Sequence, residues 1–422
     1  MSSKSAPVQG GFRFSQLIYD TRYRSNTIQT VALIALMALI WWLVNNTLTN
    51  LEASGKGLGF SFLTETSGYD INQHLLEYDA RDSHLRASLI GVLNTLLLAF
   101  MGCVTATIVG VFVGVLRLSK NWLIARIMTV YIEMFRNIPV LLWILIVFGV
   151  MIEIMPTPRD FRGDNPAASM MLFDSVAITN RGIYIPEPLF SRPIGDVSFF
   201  PKSSMRFDVS LELVAFLIAL GAGIFASGRL KRRADRIQNE TGDRPTTWWQ
   251  RTVCVVVLPV LVLIACGFHL GYPELKGFNF QGGTYMRNSL IALWLALSLY
   301  TAAFIAEIVR AGIMAISKGQ TEASLALGIS PGRTMSLVVL PQALRVIIPP
   351  LISHYLNLTK NSSLAIAVGY MDITGTLMGI TLNVTGREIE TVLLVMLIYL
   401  SISLSISAVM NVYNNRVKLV ER

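Results

Sequence analysis

Eight stretches of this sequence are apolar for about the length that a helix needs to cross hydrocarbon. A bilayer core about 30 Å thick takes roughly 20 mostly apolar residues per crossing. The stretches are Ile28 to Val44, Ala87 to Leu116, Val130 to Ile154, Val209 to Phe225, Val253 to Phe268, Ser289 to Ile308, Val346 to Val368 and Thr391 to Val412, the fourth and fifth being the shortest. With 53% hydrophobic and only 14% charged residues among 422, the chain cannot cover a water-facing surface, where about 25% charge is usual. A cytosolic enzyme, a disordered chain and a secreted disulfide scaffold are excluded. Backbone polar groups in lipid must be satisfied within their own segment. The expected class is therefore all-α, a polytopic membrane protein with about eight transmembrane helices.

The net charge of +9 belongs to loops on one side. Arg117 to Arg126 holds three basic residues and no acid, Gly228 to Arg251 seven against three, and Arg310 to Arg345 four against one. By contrast, Leu48 to Arg86 has three basic and six acidic residues, and Gly369 to Glu390 one against three. Basic loops stay in the cytoplasm, which places both termini there. The chain starts polar and basic through Arg22 and Arg24, and after Val44 it reads Asn45-Asn46-Thr47 with no small-residue cleavage pattern. The first stretch is expected as a retained anchor.

The expected layout has residues 1–86 as a cytoplasmic segment, first anchor and external loop, then a transmembrane domain over 87–412 and a cytoplasmic tail over 413–422. Within the domain lie an external insertion at 156–207, an extra helical hairpin at 208–268 and a cytoplasmic loop at 313–345. The insertion holds seven of the sixteen prolines, so neither a long helix nor a span is expected in it. Cys103, Cys254 and Cys266 sit in apolar runs without metal-ligand spacing and read as small core residues.

The most informative run is Ser317 to Pro350. Ser317 followed by Gln320 fits a capping box and opens a short helix through Glu322, Ala323, Leu325 and Leu327. Gly328 ends it. Ser330-Pro331 starts a second helix toward Leu340, where Pro341 is expected to stop it. Ala323, Ser324 and Ala326 beside Leu325 and Leu327 leave a surface that a groove in another protein could receive closely. The spacing of Ser324, Gly328, Ile329 and Ser330 also approximates a DNA-reading helix-turn-helix. Only Arg333 is available to touch a base, and membrane spans flank the unit closely, so nucleic acid is not an expected partner.

Gly319-Gln320-Thr321-Glu322-Ala323-Ser324, Gly328 and Leu340-Pro341-Gln342-Ala343 resemble the EAA loop of permease subunits of binding-protein-dependent ABC importers. Ser324 departs from the family's usual second alanine. Asn94-Thr95-Leu96, Gly110, Gly114, Arg117-Leu118-Ser119, Tyr131-Ile132-Glu133 and Phe135-Arg136-Asn137-Ile138-Pro139 resemble the opening helices of polar amino acid permeases. The runs Leu297 to Gly312 and Leu358 to Leu364 are similar to the general L-amino acid permease subunits. The resemblance implies a five-helix permease core from the second, third, sixth, seventh and eighth stretches. It also implies a coupling helix that carries Gly319, Gln320, Glu322, Ala323, Ser324 and Gly328 to a cytoplasmic ATPase.

A charge in mid-bilayer costs about 2.5 to 3.5 kcal/mol on insertion scales, so each needs a partner or a wet cavity. Glu133 with Arg136, and Glu307 with Arg310, stand three apart and are expected to pair on one helix face. Lys360 lies near the middle of its stretch among Asn357, Thr359, Asn361, Ser362 and Ser363. Pro349 and Pro350 are expected to kink or break that span near its start. Asn357, Lys360, Asn361, Ser362 and Ser363 are the candidate substrate path, able to meet the carboxylate and ammonium of an amino acid. His354 has no carboxylate at helical spacing and reads as packing.

No phosphate-cradling G-x-x-x-x-G-K-[ST] occurs, and no zinc or serine-hydrolase motif. No catalytic, metal or cofactor site is expected in this chain, so it is not read as an enzyme. The resemblance implies the transmembrane subunit of an ABC importer for polar L-amino acids in a bacterial inner membrane. Its partners would be two ATP-binding subunits holding ATP and Mg, a second permease chain (similar or identical), a periplasmic amino acid-binding protein and membrane lipid. The rival is an ion-coupled secondary transporter. Against it, Glu133, Glu212 and Glu307 lie near the ends of stretches rather than in mid-bilayer.

Overall fold

The computed structural model describes residues 16–417 except 20, 54, 56, 164, 201 and 202. The chain forms two units, residues 1–60 and 61–422. The first consists of helices α1 (Gln16–Tyr19) and α2 (Thr21–Ala53), and the expected anchor lies within α2. At about 1.5 Å per residue its 33 residues reach about 50 Å, more than hydrocarbon requires. Its described apolar side chains, Leu51 excepted, are exposed, as on a helix that faces lipid. The expected cytoplasmic start up to residue 15, and the tail from residue 418, lie outside the described residues.

The second unit opens with α3 (His84–Leu116), α4 (Trp122–Asn137) and α5 (Val140–Glu153). Ser83 starts α3, its hydroxyl accepting from the Arg86 amide, and Asn121 caps α4 by accepting from the amides of Leu123 and Ile124. The stretch Val130 to Ile154, expected as one span, is broken: α4 and α5 meet at 106°. Pro139 is the cause. A residue before proline is kept out of the helical region, and Ile138 sits at φ −108, ψ 133.

After α5 come β1 (Ala177–Thr179), β2 (Gly182–Ile185), β3 (Glu187–Phe190), β4 (Asp196–Phe199) and β5 (Phe207–Ser210), then α6 (Leu211–Thr241) and α7 (Trp248–Ala265). Four more strands follow: β6 (Phe268–Gly271), β7 (Glu274–Lys276), β8 (Asn279–Gln281) and β9 (Thr284–Arg287). All pairing is antiparallel. The chain joins β1-β2-β9, β3-β6, β4-β5 and β7-β8, with Tyr184 opposite Tyr285 and Leu189 opposite His269. The insertion is thus not self-contained at 156–207. Its strands close on those of residues 268–287, and the expected boundary at 207/208 cuts through β5.

The rest is α8 (Asn288–Met314), α9 (Lys318–Ala326), α10 (Pro331–Thr334), a π turn at Met335–Val339, α11 (Leu340–Asn361), a 3-10 segment at Ser362–Val368, a π segment at Gly375–Thr381, α12 (Leu382–Thr385) and α13 (Glu388–Val417). Pro341 does not stop the second elbow helix. In an ordinary helix its ring would strike the carbonyl four residues back, and the wide π turn just before it relieves that clash, so the elbow runs on into α11. Pro349 and Pro350 lie inside α11 without breaking it. Ile347, Ile348 and Leu351 around them are buried, and this packing holds the helix where two amide donors are missing. The break falls at the far end, at Ser362. Among the described residues, seven helices are long and apolar enough to cross a membrane, and the bent pair makes eight if taken as one span.

The core centres on α8, whose Leu290, Leu293, Leu297, Ala302, Ile305 and Val309 are buried against α3, α5 and α11. Glycines on α3 set the approach. A Cβ on Gly110 would stand 2.6 Å from Ile305 Cβ, and one on Gly114 2.6 Å from the Ala306 carbonyl oxygen. Small residues four apart let two membrane helices meet backbone to side chain, where dispersion drives association that lipid cannot. The same face makes α3 nearly useless as an amphipathic signal. Its partner, not its periodicity, decides which residues are inside.

Candidate functional site

The first cluster of candidate residues is the elbow beyond α8. Ser317 begins α9 in extended geometry, its carbonyl accepting from the Gln320 amide at 3.1 Å, while its hydroxyl makes no cap bond. Gly328 ends α9 at φ +76, a left-handed geometry that glycine adopts without strain. Gly319, Gln320, Glu322, Ala323 and Gly328 are exposed, and Leu327 is 80% exposed. Glu322 has no hydrogen-bonded or ionic partner among the described residues. Ser324, expected on the same surface, is instead buried at 6%. Its hydroxyl donates back to the Gln320 carbonyl at 2.9 Å, which satisfies the group locally and lets it turn inward. Behind the elbow, a cavity of about 270 Å³ lies between Ile313, Ile316, Thr321, Leu325, Thr334 and Met335, so α9 is not wedged solidly against α8.

Above the elbow, Glu307 is held from two sides. Arg310 reaches it one turn on, at 2.6 Å, and Arg117 at the end of α3 pairs with its other oxygen. Two guanidinium groups on one carboxylate tie α3 to α8 beside the elbow, by charge-assisted bonds that are stronger in low dielectric than in water. Local spacing could not reveal Arg117, which is 190 residues away. The expected Glu133–Arg136 pair does not form. Glu133 accepts from the Asn137 amide nitrogen at 3.3 Å, and Arg136 lies over the Phe304 ring at 5.4 Å. An aromatic face on the neighbouring helix takes the cation that helical spacing had assigned to the carboxylate.

The second cluster is at the far end of α11. Lys360 lies in the last turn of α11, just before the chain turns into the 3-10 segment. It is exposed, with no hydrogen-bonded or ionic partner among the described residues, and so is Asn357 one turn before it. Lys360 and Ser363 line an open cavity of about 550 Å³ together with the hydroxyl-bearing Thr374, Tyr399 and Ser403 and the apolar Met378, Val395, Met396 and Leu400. Ser362 is buried and stands behind this wall: its hydroxyl donates to the Thr359 carbonyl at 2.7 Å and lies 3.1 Å from the Tyr399 hydroxyl. Asn357 and Asn361 do not line the cavity.

Sequence reasoning missed Asp372 and Tyr399, which build the wall. Asp372 is fully buried. Its carboxylate accepts from the Gly375 amide at 2.8 Å and from the Tyr399 hydroxyl at 2.9 Å. Burial pushes its pKa up to about 6, against the lowering by those donors. Asp three residues before Gly375, at the start of a helical turn, is a cap signal that the sequence carries; Tyr399 gave none within an apolar helix. His354 stacks on Phe304 at 5.3 Å, a packing role. Among the described residues, no three His, Cys, Asp or Glu side chains gather as metal ligands.

Residues 219–419 match the family described as binding-protein-dependent transport system inner membrane component, a range that includes the elbow and the Lys360 cavity. Across its whole length the chain is 56% identical to all of the glutamate/glutamine/aspartate/asparagine transport system permease protein BztB of Rhodobacter capsulatus. It belongs to the inner-membrane permease family of binding-protein-dependent transport systems. The permease is also 42% identical to the general L-amino acid transport system permease protein AapQ of Rhizobium johnstonii, over 99% of this chain and 98% of that one. The putative amino-acid ABC transporter permease protein YhdX of Escherichia coli is 41% identical over the full length of both. Membership decides against the ion-coupled rival. A permease of such a system is not itself the enzyme and works with an ATPase and a binding protein.

Proposed function

We propose that this permease carries polar L-amino acids across the bacterial inner membrane, with both its termini and the elbow in the cytoplasm. Two ATP-binding subunits, which hold the ATP and Mg, would each seat a coupling helix, with Gly319, Gln320, Glu322, Ala323 and Gly328 at the contact and Ser324 supporting from behind. A second permease chain would complete the path, and a periplasmic binding protein would deliver the amino acid. The names of the three relatives support this substrate class.

The observation that carries the reading is Lys360, without a partner among the described residues, beside a mostly apolar cavity that also holds hydroxyls. A lysine exposed on a membrane helix is costly in lipid. With Asn357 one turn away, it marks a face that another polypeptide or a watery path must cover. A second permease chain placed there would enclose the cavity. Lys360 would then meet a substrate carboxylate, Thr374, Tyr399 and Ser403 would supply hydroxyls, and Met378 and Leu400 would take apolar parts of the side chain.

Lys360→Ala is expected to cut uptake of labelled glutamate at least tenfold in proteoliposomes of the assembled importer, or to shift the preference away from acidic substrates. Assembly and thermal stability should stay as in the wild type, because Lys360 has no partner among the described residues to lose. Wild-type uptake kinetics for every substrate would overturn the role.

A further inference from the structure

The hairpin of α6 and α7 packs chiefly on itself and joins the rest of the unit through the strands at its base. From Leu211 to Phe225, α6 is apolar over about 21 Å, and Arg229, Lys231, Arg232, Arg233 and Arg236 follow within three turns, all exposed. Trp248 and Trp249 open α7, exposed, and its 18 residues return about 27 Å to the base. Arg251 and the basic run therefore stand at the same membrane boundary, at headgroup depth, with tryptophans where amphipathic rings settle.

Between the helices at this level lies a cavity of about 370 Å³ lined by Ser227, Trp248, Arg251, Thr252, Val255 and Val256. Arg251 Nε donates to the Ser227 hydroxyl at 3.3 Å. That bond anchors the guanidinium and leaves its terminal N–H groups without a described partner. Arg229 is held over the Phe225 ring at 4.8 Å, which fixes a second cation near the boundary. The cavity thus combines donors and positive charge from Arg251, Thr252, Trp248 and Ser227 with the apolar side chains of Val255 and Val256.

We propose that this hairpin holds an anionic phospholipid, its headgroup phosphate on Arg251 with Ser227, Thr252 and the Trp248 indole beside it, and its acyl chain along Val255 and Val256. Guanidinium groups match phosphate oxygens in pairs. The exposed cations of α6 add attraction to the negative leaflet, worth about a five-fold preference per contributing residue. A free phosphate would use the same donors but not the apolar lining, and donors beside Val255 and Val256 at the membrane boundary assign the site to lipid.

The test uses the full-length chain in vesicles that contain spin-labelled phosphatidylglycerol or spin-labelled phosphatidylcholine, and measures the fraction of immobilised lipid. Wild type should prefer phosphatidylglycerol several-fold. Arg251→Gln should lose about five-fold of that preference, and Arg251→Lys, which keeps the charge, should retain part of it. Equal affinity for the two lipids would overturn the site. So would an unchanged preference in Arg251→Gln, with loss only when the α6 run is neutralised, since diffuse attraction would then suffice. Inorganic phosphate should displace no more lipid than chloride of the same ionic strength. Greater displacement would assign the cavity to free phosphate instead.

Discussion

Uptake driven by ATP is expected to stop when Gly328 is replaced by proline, while the permease still inserts and accumulates in the membrane. Gly328 sits at φ +76, and its amide donates to the Leu325 carbonyl at 2.9 Å. Proline fixes φ near −65° and has no amide hydrogen, so the chain must leave α9 in another direction. Nothing lies within 4 Å of a Cβ built there. The damage is therefore to the angle of the elbow, not to a packed core. Glu322→Lys should have the same outcome by another route: Glu322 is exposed and has no partner among the described residues, so its charge is expected to matter to a partner chain. The check is uptake and substrate-stimulated ATP hydrolysis in proteoliposomes, scaled to the amount of permease inserted. Wild-type rates in both variants would refute the assignment of the elbow.

The second large effect is structural. Gly110→Val is expected to leave little folded permease, because its Cβ would stand 2.6 Å from Ile305 Cβ and 3.0 Å from the Ala302 carbonyl. Ile305 is fully buried, and the backbone of α8 cannot yield as a flexible side chain could. Overpacking costs typically about 1–3 kcal/mol, and the clash with backbone puts this site at the upper end. Gly221→Val is the control, since a Cβ at that exposed position on α6 meets nothing within 4 Å. Thermal melting of the purified chains and their abundance in membranes report the difference. A Gly110→Val permease as stable and abundant as wild type would mean that α3 and α8 do not pack through these glycines.

Much of this molecule was legible because lipid enforces a simple rule. Long apolar runs become helices: α2, α3, α8 and α13 each contain an expected stretch, and α6, α7 and α11 each hold most of one. The elbow was legible too, since Gly328 and Ser330-Pro331 carry local turn chemistry that tertiary packing does not override. What escaped reading was long-range. Arg117 meets Glu307 across two helices, and Arg136 prefers the Phe304 ring to Glu133, although i,i+3 spacing named the carboxylate. Asp372 and Tyr399 meet only because the segment after Gly369 folds back against α13. The prolines misled in both directions: Pro139 bends the chain by 106°, whereas Pro341, Pro349 and Pro350 pass within a helix because a π turn and buried neighbours absorb them.

The most direct measurement places a single cysteine at Leu327, with Cys103, Cys254 and Cys266 replaced, and asks what it can be cross-linked to in membranes of the assembled importer. A bifunctional thiol–amine reagent supplied from the cytoplasmic side should join the permease to its ATP-binding partner, with a yield that changes when nucleotide is added. Labelling of that cysteine only from the outer face, or no product with the ATP-binding chain, would contradict the proposal that the elbow is gripped there.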